Sequence, residues 1–262
     1  MHINHLKPLK WLLLFVTAFF SSHASAEVTP FDALKFAAQQ QVLTQVMLKN
    51  YCQIGQEIRF LAGREDLQES IKVYDANLVK LQEFQGGEQY LAHLEEMKAG
   101  WTPYKKALTQ KSNKDDVVSL SSQAESLISI AKLLGQTISD ANQIPHKQIL
   151  NLVTDQILVI QQAATHYLLT SWQINPEENR KLFKTNIAMF DANLVELSTA
   201  QENNKETGKA LGSITKKWTL FKSGHKIDND DELVPDFVVR ICDSTHSLLS
   251  KASAAYMATS GG

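Results

Sequence analysis

The stretch Asp75-Ala76-Asn77-Leu78-Val79 occurs twice in this sequence, the second time as Asp191-Ala192-Asn193-Leu194-Val195, 116 positions later (191 − 75). Identical or similar residues recur at the same offset: Gln40 and Gln156, Gln45 and Gln161, Tyr51 and Tyr167, Arg64 and Arg180, Ile71 and Ile187, Tyr74 and Phe190, and Leu81 and Leu197. With short insertions in the second copy, the agreement continues through Trp101-Thr102 and Trp218-Thr219, Val117-Val118 and Val238-Val239, and Ser126–Ser129 and Ser247–Ser250. The repeat predicts one small domain used twice, as residues 30–142 and 143–258.

Each copy has the apolar spacing of four long helices. The 262 residues include only six prolines and eleven glycines, which favours long helices over many short strands. Apolar residues recur every three or four positions, as on one helix face. The predicted helices span about 32–62, 65–84, 88–109 and 115–141, then 146–172, 176–201, 205–223 and 235–258. We therefore predict an all-α protein of two antiparallel up-down four-helix bundles in tandem.

The N-terminus has the pattern of an export signal. Lys7 and Lys10 precede an apolar run of ten residues, Trp11 to Phe20, and the small residues Ala24-Ser25-Ala26 follow. This run is too short to span a bilayer as a helix, which favours a cleaved signal peptide, residues 1–26, over an uncleaved anchor. The expected location is the periplasm, with secretion as the alternative. The formal net charge of −2 gives no basic footprint for nucleic acid.

Polar residues interrupt the apolar face of the first helix in each copy. Gln40 and its repeat partner Gln156 lie between apolar positions, and a buried amide costs about 1–3 kcal/mol unless it is hydrogen-bonded. One interpretation is a hydrogen bond that fixes helix register. The other is a polar ligand site, for which the candidate residues are Gln40, Gln41, Thr44, Gln45, Gln156 and Gln161.

The same helix carries a family resemblance. The segment from Ala37 to Met47, followed by Tyr51 and the Asp-Ala-Asn-Leu element, resembles the PilJ/NarX-type sensor domain. That domain is the periplasmic part of type IV pilus chemotaxis transducers and of nitrate and nitrite sensor kinases. The resemblance implies a helical sensor for a small ligand, working with a membrane-bound transducer or a pilus component. Two arginines of the family pattern are replaced here by Gln41 and Val46, so nitrate binding through them is not expected.

The resemblance also bears on the two cysteines, Cys52 and Cys242. Export permits a disulfide, and the alternative is two buried free thiols. If the two copies imitate the dimer of the sensor family, their first and last helices meet. Cys52 and Cys242 then lie at similar heights, which makes a bond between them a hypothesis. Whether the copies form such a pseudo-dimer stays open at this stage, as does the oligomeric state.

The remaining candidates for chemistry are weak. His93 and Glu96, and Asp243 and His246, are three residues apart, but the other carboxylates of a di-iron bundle are missing. Trp101 and Trp218 fit core positions better than ligand stacking. We therefore expect no catalytic residue, metal site or cofactor. The predicted function is an exported, non-enzymatic binding module for a small ligand or a membrane-bound partner. The alternative is a structural or scaffolding protein of the cell envelope.

Overall fold

The computed structural model describes residues 27–260, and the predicted signal peptide lies outside them. Within these residues the chain forms helices and no β-strand, which confirms the all-α prediction. The eight α-helices are α1 (Pro30–Gly55), α2 (Phe60–Glu83), α3 (Glu88–Leu108), α4 (Val117–Ala141), α5 (Lys147–Ser171), α6 (Pro176–Thr199), α7 (Lys205–Gly224) and α8 (Pro235–Ser260).

The helices of each copy pack mainly with one another. In the first copy α1 packs against α2 and α4, and α3 packs against α4; in the second copy α5 packs against α6 and α8, and α7 against α8. Each set encloses an apolar core, and the core of the first copy extends across the junction to Leu168, Leu169, Ile174 and Val239 of the second. This arrangement is compatible with the predicted pair of four-helix bundles.

In each copy, the repeated pentapeptide links the second helix to the third through hydrogen bonds and ring contacts. The Asp75 carboxylate accepts hydrogen bonds from Trp101 Nε1 at 2.8 Å and from Lys105 Nζ at 2.6 Å. The Trp101 ring stacks on Tyr74, with 3.9 Å between the centroids. The second copy repeats these contacts with Asp191, Trp218, Lys222 and Phe190. Both tryptophans are buried, which confirms their interpretation as core residues.

The first helix ends earlier than the sequence predicts. We expected it to continue to Gly63, but α1 ends at Gly55 and Gly63 lies inside α2. The chain turns through two residues with left-handed backbone, Glu57 (φ 58°) and Arg59 (φ 48°). The second copy turns in the same way at positions 173 and 175, which are the repeat partners of 57 and 59. Because the chain has already turned, Leu61 is 64% exposed and does not belong to the core.

The two copies meet through their first helices, α1 and α5, which run parallel. Near the C-terminal ends, Gly55 lies so close to Trp172 that an added Cβ would be 2.1 Å from the indole ring. Gln56 Nε2 donates to the carbonyl of Leu168 at 3.0 Å. Further back, Gln45 Nε2 donates to Thr165 Oγ1 at 2.7 Å. The two copies therefore pack against each other along a parallel pair of helices.

The hypothesis of a disulfide between Cys52 and Cys242 is wrong for this structure. Both cysteines are free, fully buried thiols. Cys52 lies in the apolar core of the first copy and Cys242 in that of the second, so each packs as a small hydrophobic residue. Burial raises the pKa of Cys52 to about 12 and raises that of Cys242 as well, so both thiols are protonated at neutral pH.

None of the helices in residues 27–260 combines the length and the apolar character that crossing a membrane requires.

Candidate functional site

The predicted site residues do not form one site. Gln40 Nε2 donates to the carbonyl of Tyr74 at 3.1 Å, and Gln156 Nε2 donates to that of Phe190 at 2.9 Å. Thr44 Oγ1 donates to the carbonyl of Gln40 within the same helix at 2.7 Å. These three side chains therefore face the cores of their own copies. The repeated glutamine links the first helix of each copy to the second, as the register interpretation requires.

The other predicted residues lie at the junction of the two copies. Gln45 bonds to Thr165 across the junction, and Gln41 lines a small cleft there. Gln161 Nε2 lies 3.4 Å from Nδ1 of His246 on α8. Gln161 is fully buried, and its Oε1 has no hydrogen-bond partner. Such an oxygen is costly unless something satisfies it. The Oε1 atoms of Gln40 and Gln156 also lack a partner, but those two glutamines face the cores of their own copies. Gln161 lies at the junction, in contact with His246, and therefore has the strongest claim to a ligand among the predicted residues.

A cleft lined by His246, but not by Gln161 itself, opens between α1 and α2 of the first copy and α5 and α8 of the second. We call it the inter-copy groove, and its volume is about 330 Å³. Seven of its thirteen lining residues are apolar. The lining residues are Lys35, Ala38, Gln39, Val42, Leu43, Val73, Thr154, Ile157, His246, Ser250, Ser253, Ala254 and Met257.

The electrostatics of the inter-copy groove are simple. Lys35 is its only charged lining residue apart from the titratable His246, and no carboxylate lines it. Within the described residues Lys35 has no ion-pair partner. Burial, together with the nearby charge of Lys49, lowers the pKa of His246 to about 4, so its imidazole is neutral at pH 7. The groove can therefore enclose an apolar molecule and neutralise one negative charge.

No family model, curated protein or solved structure matches this chain.

A smaller cleft occupies the equivalent place on the other side of the junction. It has a volume of about 90 Å³ and lies between α1, α4 and α5. Lys132 and Asp155 both line it, and burial raises the pKa of Asp155 while the charge of Lys132 opposes that rise. The two clefts have therefore diverged, and the smaller one is also the more polar. Larger depressions of about 520 Å³ at the helix ends contain none of the predicted site residues.

Next to His246, a cluster of charged side chains joins the two copies. The sequence did not predict this cluster. Lys49 on α1 is 2% exposed and pairs with Asp243 on α8. Arg59 Nη1 donates to the same carboxylate at 2.9 Å. The sequence carries no clear signal of this cluster, because Lys49 lies about 200° around the helix from Met47 and Tyr51, on the side where a solvent-exposed lysine is expected. Within the described residues, no group of three or more His, Cys, Asp or Glu side chains is placed to hold a metal ion.

Acidification is expected to destabilise the fold through His246. Its pKa is about 4 in the folded protein, because burial and Lys49 outweigh the opposing effect of Asp243. A histidine in the unfolded chain has a pKa of about 6.5. The unfolded state therefore binds the proton first as the pH falls from about 6.5 to about 4, and up to about 3 kcal/mol of stability is lost across that window.

Urea unfolding of the parent protein and of His246→Gln at about pH 7.5 and about pH 4.5 measures this effect. The variant should lose about 2 kcal/mol less than the parent between the two conditions. The comparison at the higher pH, where the imidazole is neutral in both states, isolates the packing cost of the substitution. His166, whose pKa burial also lowers, is present in both proteins and cancels. Equal losses in parent and variant would contradict the prediction.

Proposed function

We propose that the protein is a non-catalytic, sensor-like binding module that takes up a small ligand in the inter-copy groove. The observation that carries this proposal is the groove itself, which has apolar walls from both copies and is lined by His246, the residue that Gln161 contacts. Ligand sites in proteins are typically clefts of about 300–1,000 Å³ with mostly apolar walls and a few polar groups. The groove, at about 330 Å³, lies within that range.

The position of the groove supports a sensory role. A ligand there would contact α1 of the first copy and α5 and α8 of the second, so its binding energy would depend on how the copies pack. A ligand that favours one packing over another shifts the population toward it, and a partner protein can read that shift. The resemblance of the segment from Ala37 to Met47 to PilJ/NarX-type sensors points to the same kind of role. Export to the periplasm and a membrane-bound transducer or pilus component as partner belong to this proposal.

A second candidate is a structural or scaffolding protein of the cell envelope. The observation that favours it is the role of Gln40 and Gln156, whose amide groups bond to neighbouring helices of their own copies. Only the Nε2 atoms of these amides are bonded, and a link of this kind between two helices fixes their packing without a ligand. In that case the protein would present its outer surfaces to a partner, and the inter-copy groove would have no specific occupant.

A thermal-shift screen against small metabolites and anions, nitrate and nitrite included, separates the two candidates. A ligand at 100 times its dissociation constant adds about 2.7 kcal/mol to the free energy of unfolding, which raises the melting temperature by several degrees. Ser250→Trp should abolish the shift, because Ser250 is an exposed residue on the wall of the groove. Its repeat partner Ser129 is also exposed but does not line either cleft, so Ser129→Trp serves as the matched control.

A ligand-induced shift that is lost in Ser250→Trp and kept in Ser129→Trp supports the binding module. A shift that both variants keep places the ligand elsewhere and rejects the groove as its site. The absence of any shift, together with capture of an envelope protein by both variants, supports the scaffold instead.

A further inference from the structure

The two ends of the inter-copy groove are defined by different residues. Its α1 wall runs from Lys35 to Leu43, which is about 12 Å at 1.5 Å per residue. α8 passes in the opposite direction, because the pairing of Lys49 with Asp243 and the proximity of Gln161 and His246 fix its register. His246 therefore lies near the Leu43 end of the groove, and Met257 lies near the Lys35 end.

The two ends differ in charge. Lys35 supplies a positive charge at one end, and it has no carboxylate partner within the described residues. The other end has the imidazole of His246, which is neutral at pH 7. Between the ends, the walls are formed mostly by aliphatic side chains, among them Val42, Ile157 and Ala254. A complementary molecule has one negative charge at one end and an apolar body of about 12 Å.

We propose that the groove binds a medium-chain monocarboxylate, with its carboxylate at Lys35 and its hydrocarbon chain extending along the apolar walls toward His246. This inference rests on the proposed function and specifies the ligand class for the same site. A dicarboxylate or a zwitterion fits less well, because the lining of the groove offers no second charged side chain to pair with its second charge. A small inorganic anion fits less well because it would leave the apolar walls without contacts.

Isothermal titration calorimetry with hexanoate, octanoate and decanoate tests the chain-length dependence. Burying a methylene group strengthens binding about fourfold, so each step of two methylenes should lower the dissociation constant roughly 15-fold until the groove is filled. Decanol has the same chain without the charge and should bind roughly 10–100-fold more weakly than decanoate, because a hydrogen bond to a charged group is lost.

Two variants test the placement of the ligand. Lys35→Met keeps the length of the side chain and removes its charge, and it should weaken decanoate binding roughly 10–100-fold while leaving decanol binding unchanged. Lys132→Met, in the smaller cleft, is the matched control and should bind decanoate like the parent. Ser250→Trp should remove the binding of both ligands. Ala254→Phe, a second groove-filling change, covers the case in which Ser250→Trp fails to fold.

The outcomes separate the two proposals. If decanol and decanoate bind equally well, Lys35→Met has no effect and the groove-filling variants remove both ligands, the carboxylate inference is overturned while the binding module stands. If both ligands bind and neither groove-filling variant affects them, the groove is not their site and the inference fails together with its premise. If the parent elutes as a dimer on size exclusion and Ser250→Trp elutes as a monomer, a second copy fills the groove and the inference is overturned.

Discussion

Replacing Asp243 by alanine is expected to lower the free energy of unfolding by about 3 kcal/mol. The substitution leaves Lys49, which is 2% exposed, as a buried charge without its partner, and it removes the carboxylate that Arg59 binds. Losing one member of a buried pair costs about 3–5 kcal/mol, and the lower end applies because Asp243 is itself 28% exposed. Urea unfolding at neutral pH measures the change.

A second substitution distinguishes the unpaired charge from a general loss of packing. Adding Lys49→Met to Asp243→Ala removes the buried charge and should restore most of the lost stability, since apolar replacement of a whole buried pair is often neutral. Asp236→Ala on the same helix removes an exposed pair with Arg240 and should cost less than about 1 kcal/mol. Equal effects of Asp243→Ala and Asp236→Ala would contradict the prediction.

Replacing Trp101 or Trp218 by alanine is expected to cost about 3–5 kcal/mol each, which is the range for deleting a large buried aromatic side chain. Each indole packs against a ring of the preceding helix and donates to the aspartate of the repeated pentapeptide. Because both copies make the same contacts, the two variants should lose similar amounts of stability. Calorimetric or urea unfolding of the two variants tests this equivalence.

Phenylalanine at the same positions is the informative control. Trp101→Phe and Trp218→Phe keep most of the ring stacking and lose the hydrogen bond to Asp75 or Asp191, so each should cost about 1–2 kcal/mol. A variant that loses ligand binding while its stability stays near that of the parent would mean that the tryptophan contacts a ligand, contrary to the core interpretation.

The repeat made most of the helices predictable, and the exception has a specific cause. In the second copy the dipeptide Asn175-Pro176 indicates the break between α5 and α6. Asparagine tolerates left-handed backbone, and proline is favoured at the first position of a helix. The first copy makes the same turn at Arg59-Phe60, whose residue types indicate no break. Transferring the second-copy boundary to the first copy would have placed the end of α1 correctly.

The site was harder to predict, because helical spacing indicates which side chains are buried more easily than it indicates which neighbouring helix each of them faces. Gln40 and Gln45 both interrupt an apolar face, yet five residues advance about 140° around a helix, so the two side chains face different neighbours. α1 packs against α2, α4 and α5, and almost every side of it is covered. The inter-copy groove depends on how the copies dock, and the hydrophobic pattern of a single copy contains no information about that.

The parallel pairing of α1 and α5 has a consequence for how this protein can vary. In a symmetric homodimer every substitution at the interface occurs in both subunits. A lysine introduced there therefore faces either the same lysine of the other subunit or the neighbours of that lysine. Here Lys49 faces Asp243 on one side of the junction, while its repeat partner Thr165 bonds to Gln45 on the other. Covalent fusion makes each half an independent target for mutation, as in a heterodimer encoded by one gene. It also keeps the halves at a fixed effective concentration, so their pairing does not depend on protein concentration.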